Sequence, residues 1–306
     1  MKYVSLCRLF AMETFDLNRL RGRASFPFET IAVAISFSPT LEALLSEAKR
    51  ISDTLQASLL LIHVGVKSRE KEARLEKLIT KLNIDEKKCR INWMDGEPVD
   101  TILKLCKLNV VDLLIIGALR KENIVRFYLG SVARKISRRA KCSVLLLTHP
   151  SVDSKKVKRF VVNGEDSPKS LHSLNTAIYL AKRFQVNEIT VVKEIHVPGL
   201  TMAIAEVSTA PEASRMRKIM AEEEEQQLES VVKKCDAGAI KLNQRVIKGK
   251  PGYAIGKFAK DKKADLLVLN SPDTRLGFFD RIFTHDIEYI LADLPCDLLI
   301  VHSRLH

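Results

Sequence analysis

The chain has 306 residues, 46% of them hydrophobic and 28% charged, which is the make-up of a globular protein with room for two separate cores. No apolar run reaches the roughly 18–20 residues a bilayer-spanning helix needs. The six cysteines (Cys7, Cys89, Cys106, Cys142, Cys235 and Cys296) show no CxxC pair and no metal-ligand spacing, and are expected to be reduced core or surface thiols of a cytoplasmic protein. The net charge of +13 is unevenly shared: residues 1–150 carry 26 Lys and Arg against 16 Asp and Glu, and residues 151–306 carry 24 against 21.

Residues 1–29 have mixed charge and little periodicity, and are expected to form an N-terminal extension rather than a signal peptide. Thr30 to Ile35 reads as a first strand. Ser38-Pro39 opens a helix to about Leu55, with an apolar stripe at Leu41, Leu44, Leu45, Ala48 and Ile51. Ser58 to Val64 is the next strand, Arg69 to Leu82 a charged amphipathic helix and Cys89 to Trp93 a third strand. Val99 to Leu108 is then a helix, Val110 to Ile116 a fourth strand, and a helix from Ser131 leads to a strand at Ser143. Strands alternating with helices predict a parallel sheet covered on both faces.

After a short polar linker, Thr148 to Lys156, the order begins again. Val157 to Val162 reads as a strand, followed by a helix to about Phe184 and a strand from Glu188 to Ile195. A longer connection, Pro198 to about Pro211, leads to a helix containing Glu222-Glu-Glu-Glu225, read as a solvated face. Gly96-Glu97-Pro98 returns as Gly249-Lys250-Pro251, and Asp112-Leu-Leu-Ile-Ile-Gly117 as Asp265-Leu-Leu-Val-Leu-Asn270, in both cases 153 residues on. Cys142-Ser-Val-Leu-Leu-Leu147 returns as Cys296-Asp-Leu-Leu-Ile-Val301. A period of this length is a whole domain, so the chain is a tandem duplication. The copies span 30–150 and 156–306. His63-Val64 pairs by eye with His196-Val197 as the end of each second strand.

Two features of the first copy point to a ligand. Gly117 ends a strand, where a missing Cβ lets a ligand approach the backbone. Gly130-Ser131 opens a helix, offering free N–H groups, a hydroxyl and the positive end of a dipole to a phosphate. Between Gly117 and Lys141, eight cations from Arg120 onward face only Glu122. This cluster suits anionic phosphates or a solvated helix face, and the absence of interleaved aromatics argues against a nucleic-acid platform.

These residues resemble the universal stress protein family over roughly 29–150 and 156–303. The family's nucleotide-binding members carry Gly-x2-Gly-x9-Gly-(Ser/Thr) between the fourth strand and the last helix. Here the first copy reads Gly117-x2-Arg120-x9-Gly130-Ser131, and it shares the His63-Val64 strand end and the Gly96-Glu97-Pro98 turn. The resemblance implies two tandem doubly wound α/β domains, each a five-stranded parallel sheet of the adenine nucleotide alpha hydrolase-like kind. It also implies pairing through the last strands, as an intrachain pseudo-dimer or a homodimer. The ligand implied is ATP or a related adenine nucleotide, with or without magnesium, held by Ser36, Val64, Gly117, Arg120, Gly130, Ser131 and Val132.

Two departures bear on that site. Ser36 stands where the family usually has an Asp that contacts adenine or ribose, and Arg120 stands at the second glycine, as a phosphate ligand or as a plug. In the second copy the loop reads Asn270-x2-Asp273-x9-Phe283-Thr284, so that copy is expected not to bind nucleotide, although Asn163-Gly164 after its first strand is nearer the family pattern. The chain has no GxxxxGK(S/T), GxSxG or HExxH motif. The expectation is therefore a cytoplasmic regulator of the stress response with an unidentified protein partner, rather than an enzyme. The alternative is an interaction or scaffold module with both sites degenerate.

Overall fold

The computed structural model describes residues 26–120, 127–128, 130–165, 167–195, 210–271 and 284–302. They group into two compact units. Unit 1 holds the described residues up to Leu119, those from 130 to Lys156 and those from Leu299 on, and unit 2 holds Arg120, Phe127–Tyr128 and Val157–Leu298.

Unit 1 follows the expected alternation. Its elements are β1 (Thr30–Ala34), α1 (Leu41–Leu55), β2 (Ser58–Val64), α2 (Arg69–Lys81), β3 (Cys89–Met94), α3 (Pro98–Leu108) and β4 (Leu113–Gly117). Two short strands follow in the chain, β5 (Leu119–Arg120) and β6 (Phe127–Tyr128), of which Arg120 and Phe127–Tyr128 group with unit 2, and then α4 (Ser131–Arg139) and β7 (Ser143–Leu147). The strand order is β3-β2-β1-β4-β7, and all four pairings are parallel. The order reverses between β1 and β4, and in such sheets a crevice for ligands opens beyond the strand ends at that point.

The centre of this sheet is fully buried at Ile31, Val33, Leu60, Leu114 and Ile115. The continuous apolar runs of β2 and β4 are what a strand covered on both faces requires. Helix α1 lays Leu41, Leu44, Leu45, Ala48, Ile51 and Leu55 into that core. Each such large side chain contributes about 1.5–3 kcal/mol when fully buried.

The second copy repeats the plan with β8 (Phe160–Asn163), α5 (Pro168–Phe184), β9 (Glu188–Ile195), α6 (Ala210–Lys233), β10 (Lys241–Lys248), α7 (Tyr253–Asp261), β11 (Leu266–Asn270), α8 (Thr284–Ala292) and β12 (Asp297–Val301), of which only Leu299–Val301 fall outside unit 2. Its order is β10-β9-β8-β11-β12, with the β10–β9, β9–β8 and β8–β11 pairings parallel.

Several boundaries differ from the sequence reading, and the larger shifts have local reasons. Val110 takes a left-handed φ of 51° and Asp112 is buried, so β4 starts at Leu113. The Asp112 carboxylate instead accepts the Glu29 and Thr30 N–H groups, each at 2.8 Å, and pins the start of β1 to β4. Asp265 does the same in unit 2, accepting Lys158 and Arg159 N–H at 2.9 Å, so β8 begins at Phe160 rather than Val157. The repeated Asp is thus a backbone clamp. Ser38-Pro39 forms a turn ahead of α1 rather than its first residues, and Ile35 follows β1 instead of ending it.

Both Gly-x-Pro turns have a conformational cause. Gly96 has φ +141°, and a Cβ there would lie 2.7 Å from Thr101 Oγ1. Gly249 has φ +157°, with Ala254 Cβ 2.8 Å from its would-be Cβ. In unit 1 the turn is completed by Glu97, whose carboxylate accepts the Asp100 N–H at 2.9 Å as the cap of α3.

Candidate nucleotide cleft

Of the residues the sequence singles out, Ser36 follows β1, Val64 ends β2 and Gly117 ends β4, all at the carboxyl edge of the unit 1 sheet. Helix α4 connects the carboxyl end of β4 to the start of the parallel β7, so its first residues face that same edge. Gly130 is its N-cap, and Ser131 and Val132 are its first two residues. Ser36 and Ser131 are exposed, while Val64, Gly117, Gly130 and Val132 are half-buried. Arg120 lies in the β5 strand, and its side chain is outside the described residues.

The two loop glycines differ from the turn glycines in one respect: neither has a positive φ that demands glycine. Gly130 has φ −60° and ψ 161°, an extended conformation open to any residue. A Cβ on Gly117 would meet only the Leu44 methyls, at 3.9 Å, which is ordinary contact. Helix α4 also has no side-chain cap and no acid in its first turn. By contrast, α1, α2 and α3 carry Glu42, Glu70 with Glu72, and Asp100 in theirs. The first turn of α4 therefore brings no anion of its own to the positive end of the helix dipole.

Beside these residues stands a cluster that the spacing of motifs did not reveal. Phe37 and Trp93 lie nearly parallel with centroids 5.8 Å apart, and the His63 ring stands edge-on to each at 5.0 Å. His63 is buried; its Nδ1 donates to the Ile35 carbonyl at 3.2 Å, which leaves Nε2 as a bare acceptor with no partner. Lys71 and Arg74 stack over Phe37 and Lys67 over Trp93, at 5.8–5.9 Å. The mouth of the unit 1 sheet is thus aromatic inside and cationic outside. The only trace in sequence is an aromatic residue next to Ser36 and another near the end of β3.

The same edge of unit 2 is filled by its own side chains. Strand register corrects the pairing of His63 with His196. Ile31 faces Leu59 in unit 1 and Phe160 faces Ile189 in unit 2, which places Lys193 at the position of His63 and Glu194 at that of Val64. His196-Val197 lies outside the described residues, as do Asp273 and Phe283. Lys193 is buried, ion-paired with Glu224 and hydrogen-bonded to Gln227 Oε1 at 2.6 Å. Glu224 therefore turns inward, while Glu222, Glu223 and Glu225 remain a solvated face.

The Glu194 carboxylate accepts the Gly252 and Ile255 N–H groups at 3.0 and 2.7 Å, supplying the start of α7 with an anion from within the chain. Asn270, at the position of Gly117, donates to Ser170 Oγ at 2.8 Å. Gly164 resembles a ligand-site glycine in sequence, yet a Cβ there would meet Val191 Cγ1 at 2.6 Å and Leu228 Cδ1 at 2.7 Å. Packing explains it.

Among the described residues there is no group of three or more potential metal ligands, and no helix is long and apolar enough to cross a membrane. The model of the universal stress protein family matches residues 65–148 and again 156–302. Universal stress protein MJ0531 of Methanocaldococcus jannaschii is 27% identical over 145 residues, which are 47% of this chain and 81% of that protein. Among solved structures, a functionally unknown protein, PA1789 of Pseudomonas aeruginosa PAO1, is similar with a TM-score of 0.64 at 17% identity, covering 94% of this chain and 96% of its own. A universal stress protein from Archaeoglobus fulgidus is similar with a TM-score of 0.60 at 14% identity, covering 91% and 100%. At such identities the structural likeness speaks to the fold alone. Two family matches that together span most of the sequence, on two units of the same strand order, show that this chain belongs to the universal stress protein family as a tandem member.

Proposed function

We propose that unit 1 binds ATP or a related adenine nucleotide at the carboxyl edge of its sheet, and that the chain acts as a cytoplasmic regulator rather than as a catalyst. The observation that carries this reading is a pair of glycines at the sheet edge whose backbone conformation does not demand glycine. Neither Gly117 nor Gly130 has a positive φ that demands glycine, and among the described residues a Cβ on Gly117 would make only ordinary contact with Leu44, so a close-approaching ligand is a physical reason for a glycine at each. In this reading the phosphates lie along Gly117 and against the N–H groups of Ser131 and Val132, with the Ser131 hydroxyl as a further donor. Arg120 assists as a cation. Ser36 and Val64 flank the sugar and base, and no carboxylate stands at Ser36 to select a ribose. Magnesium, where present, would accompany the phosphates.

Unit 2 fits the alternative role of a non-nucleotide copy. Glu194 already occupies the α7 N-terminus, and Lys193, Asn270 and Gly164 all have partners or packing roles of their own. Equilibrium dialysis of labelled ATP against the intact chain, its Ser131→Ala variant and its Arg120→Gly variant tests the assignment. Loss of the Ser131 hydroxyl bond is expected to cost about 1.5–3 kcal/mol of affinity. Arg120→Gly weakens binding if the guanidinium is a ligand and tightens it if the side chain is a plug. Unchanged affinity in Ser131→Ala would remove Ser131 from the site.

A further inference from the structure

At the opposite edge of the unit 1 sheet, a cavity of about 370 Å³ opens between the second half of α3, the approach to β4 and the turn from α4 to β7. Its floor is apolar, made by Leu103, Cys106, Val111 and Cys142, and its rim carries Lys104, Lys107, Arg139 and Lys141. Cavities of this size, mostly apolar with a few charged groups at one side, are typical of small-molecule sites.

The rim charges are not explained by the fold alone. Lys107 and Arg139 sit in the last turns of α3 and α4, where cations favour the helix dipole. Lys104 and Lys141 lie outside those turns. Among the described residues, Lys104, Lys107 and Lys141 have no carboxylate partner, and Arg139 alone is paired, to Asp100 at 2.6 Å on an exposed surface.

Unit 2 shows how the same face is balanced when no ligand is needed. The turn register that matches Gly96 with Gly249 matches Lys104 and Lys107 with Lys257 and Lys260. There Lys257 pairs with Asp261 at 2.9 Å and Lys260 with Asp293 at 3.7 Å. In unit 1 the position of Asp261 is Leu108, and the turn that carries Asp293 has Arg139-Ala140. Both balancing carboxylates are missing from unit 1 while both lysines persist, and Lys141 adds a further charge. Left alone, such a rim repels itself.

We propose that this cavity is a second ligand site, for a small amphipathic anion whose carboxylate or phosphate head meets the lysine rim and whose hydrocarbon body fills the floor. The Lys104 and Lys107 ammonium groups serve as point charges for the head, and Leu103 and Val111 receive the body. The two floor thiols act as a small apolar contact: Cys106 is in hydrogen-bond contact with Cys142, which together with burial holds its pKa well above the usual thiol range. The site is on the other edge of the sheet from the nucleotide cleft and does not depend on that assignment.

Isothermal titration calorimetry of the intact chain tests it with four probes: octanoate, octyl phosphate, octan-1-ol and acetate. Octanoate or octyl phosphate should bind saturably at millimolar concentration or below, with the neutral alcohol and the bodiless acetate each weaker by about tenfold or more. The better of the two anionic probes identifies the head the rim prefers. The exposed double variant Lys104→Glu/Lys107→Glu should weaken the preferred probe by about tenfold or more while the chain still melts cooperatively, the reversed charge in the last turn of α3 lowering the melting temperature only slightly. Leu103→Trp, which fills the floor, should weaken it as well. Saturable binding of neither anionic probe overturns the proposal. So does octan-1-ol or acetate binding as tightly as octanoate, or full affinity in the charge-reversed variant.

Discussion

Replacing Gly117 by Ala separates what the fold requires from what a ligand requires. The added methyl would stand 3.9 Å from both Leu44 methyls, in ordinary van der Waals contact, on a strand backbone without positive φ. The substitution also restricts the unfolded chain, so unit 1 should become more stable, by about 0.4–1 kcal/mol. That corresponds to an increase of about 1–4 °C in its melting temperature. Gly96→Ala provides the contrast. Its φ of +141° and the 2.7 Å approach of Thr101 Oγ1 predict a loss of about 1–3 kcal/mol. ATP affinity should follow the reverse pattern. The Gly117 methyl should intrude on the ligand path and lower affinity by about tenfold, or about 1.4 kcal/mol, while Gly96→Ala, beyond β3 and two strands from β1, should not. Thermal melts by circular dichroism and parallel ATP titrations would read both effects. If Gly117→Ala destabilised as much as Gly96→Ala, the fold itself would need that glycine, and the reasoning from glycine to ligand would fail.

Asp112→Ala removes the acceptor of two backbone N–H groups at a fully buried site and should destabilise unit 1 by about 2–4 kcal/mol in urea unfolding; the same change at the half-buried Asp265 should cost unit 2 less. Burial, and then the Glu86 carboxylate, push the Cys89 thiol up to about 11, so its alkylation rate should rise about tenfold per pH unit well past the point where an ordinary thiol levels off near 9. A plateau near pH 9 in peptide-resolved mass spectrometry would contradict that. Burial lowers the pKa of His172, so its neutral form is favoured in the folded state; its contribution is complete above the unfolded value near 6.5 and is lost as pH falls below it. His172→Gln should therefore flatten the melting profile of unit 2 between about pH 5 and 7. Glu224→Gln leaves the buried Lys193 without a counter-charge and should destabilise unit 2 by about 1–3 kcal/mol in urea unfolding, whereas Glu223→Gln on the solvated face should be neutral.

Much of the fold was legible because each signal was local. Ser58–Val64, Ser143–Leu147 and Asp297–Val301 are nearly unbroken apolar runs and form strands with those limits, and Glu188–Ile195 does so although Glu188, Thr190, Lys193 and Glu194 interrupt its apolar residues. The start of α4 was marked by Gly130-Ser131. What sequence hid depended on contacts between distant residues. Asp112 and Asp265 look like strand residues, and their role as clamps emerges only when β1 and β8 are placed beside them. The edge strand β10, with Lys241, Asn243, Gln244, Arg245 and Lys248, is too polar to stand out by pattern. His196 mimicked His63 by its neighbour, while strand register assigned that position to a lysine, which shares no chemistry with histidine in a sequence comparison. The Phe37–His63–Trp93 cluster joins three strand ends, and no spacing rule reaches across them.

The central claim is that unit 1, and not unit 2, carries a nucleotide site built on Gly117 and the start of α4. Titration of the intact chain with ATP, alongside Gly130→Phe, tests it most directly. The variant places in unit 1 the residue that unit 2 has in the matching loop, Phe283. The φ of −60° at Gly130 is open to phenylalanine without backbone strain, and a thermal melt run beside the titration checks that the variant folds. The account predicts saturable binding of one ATP per chain at or below about millimolar, or roughly 4 kcal/mol, and none in Gly130→Phe. Two equivalents of ATP per chain, no saturable binding, or undiminished affinity in the folded variant would contradict it.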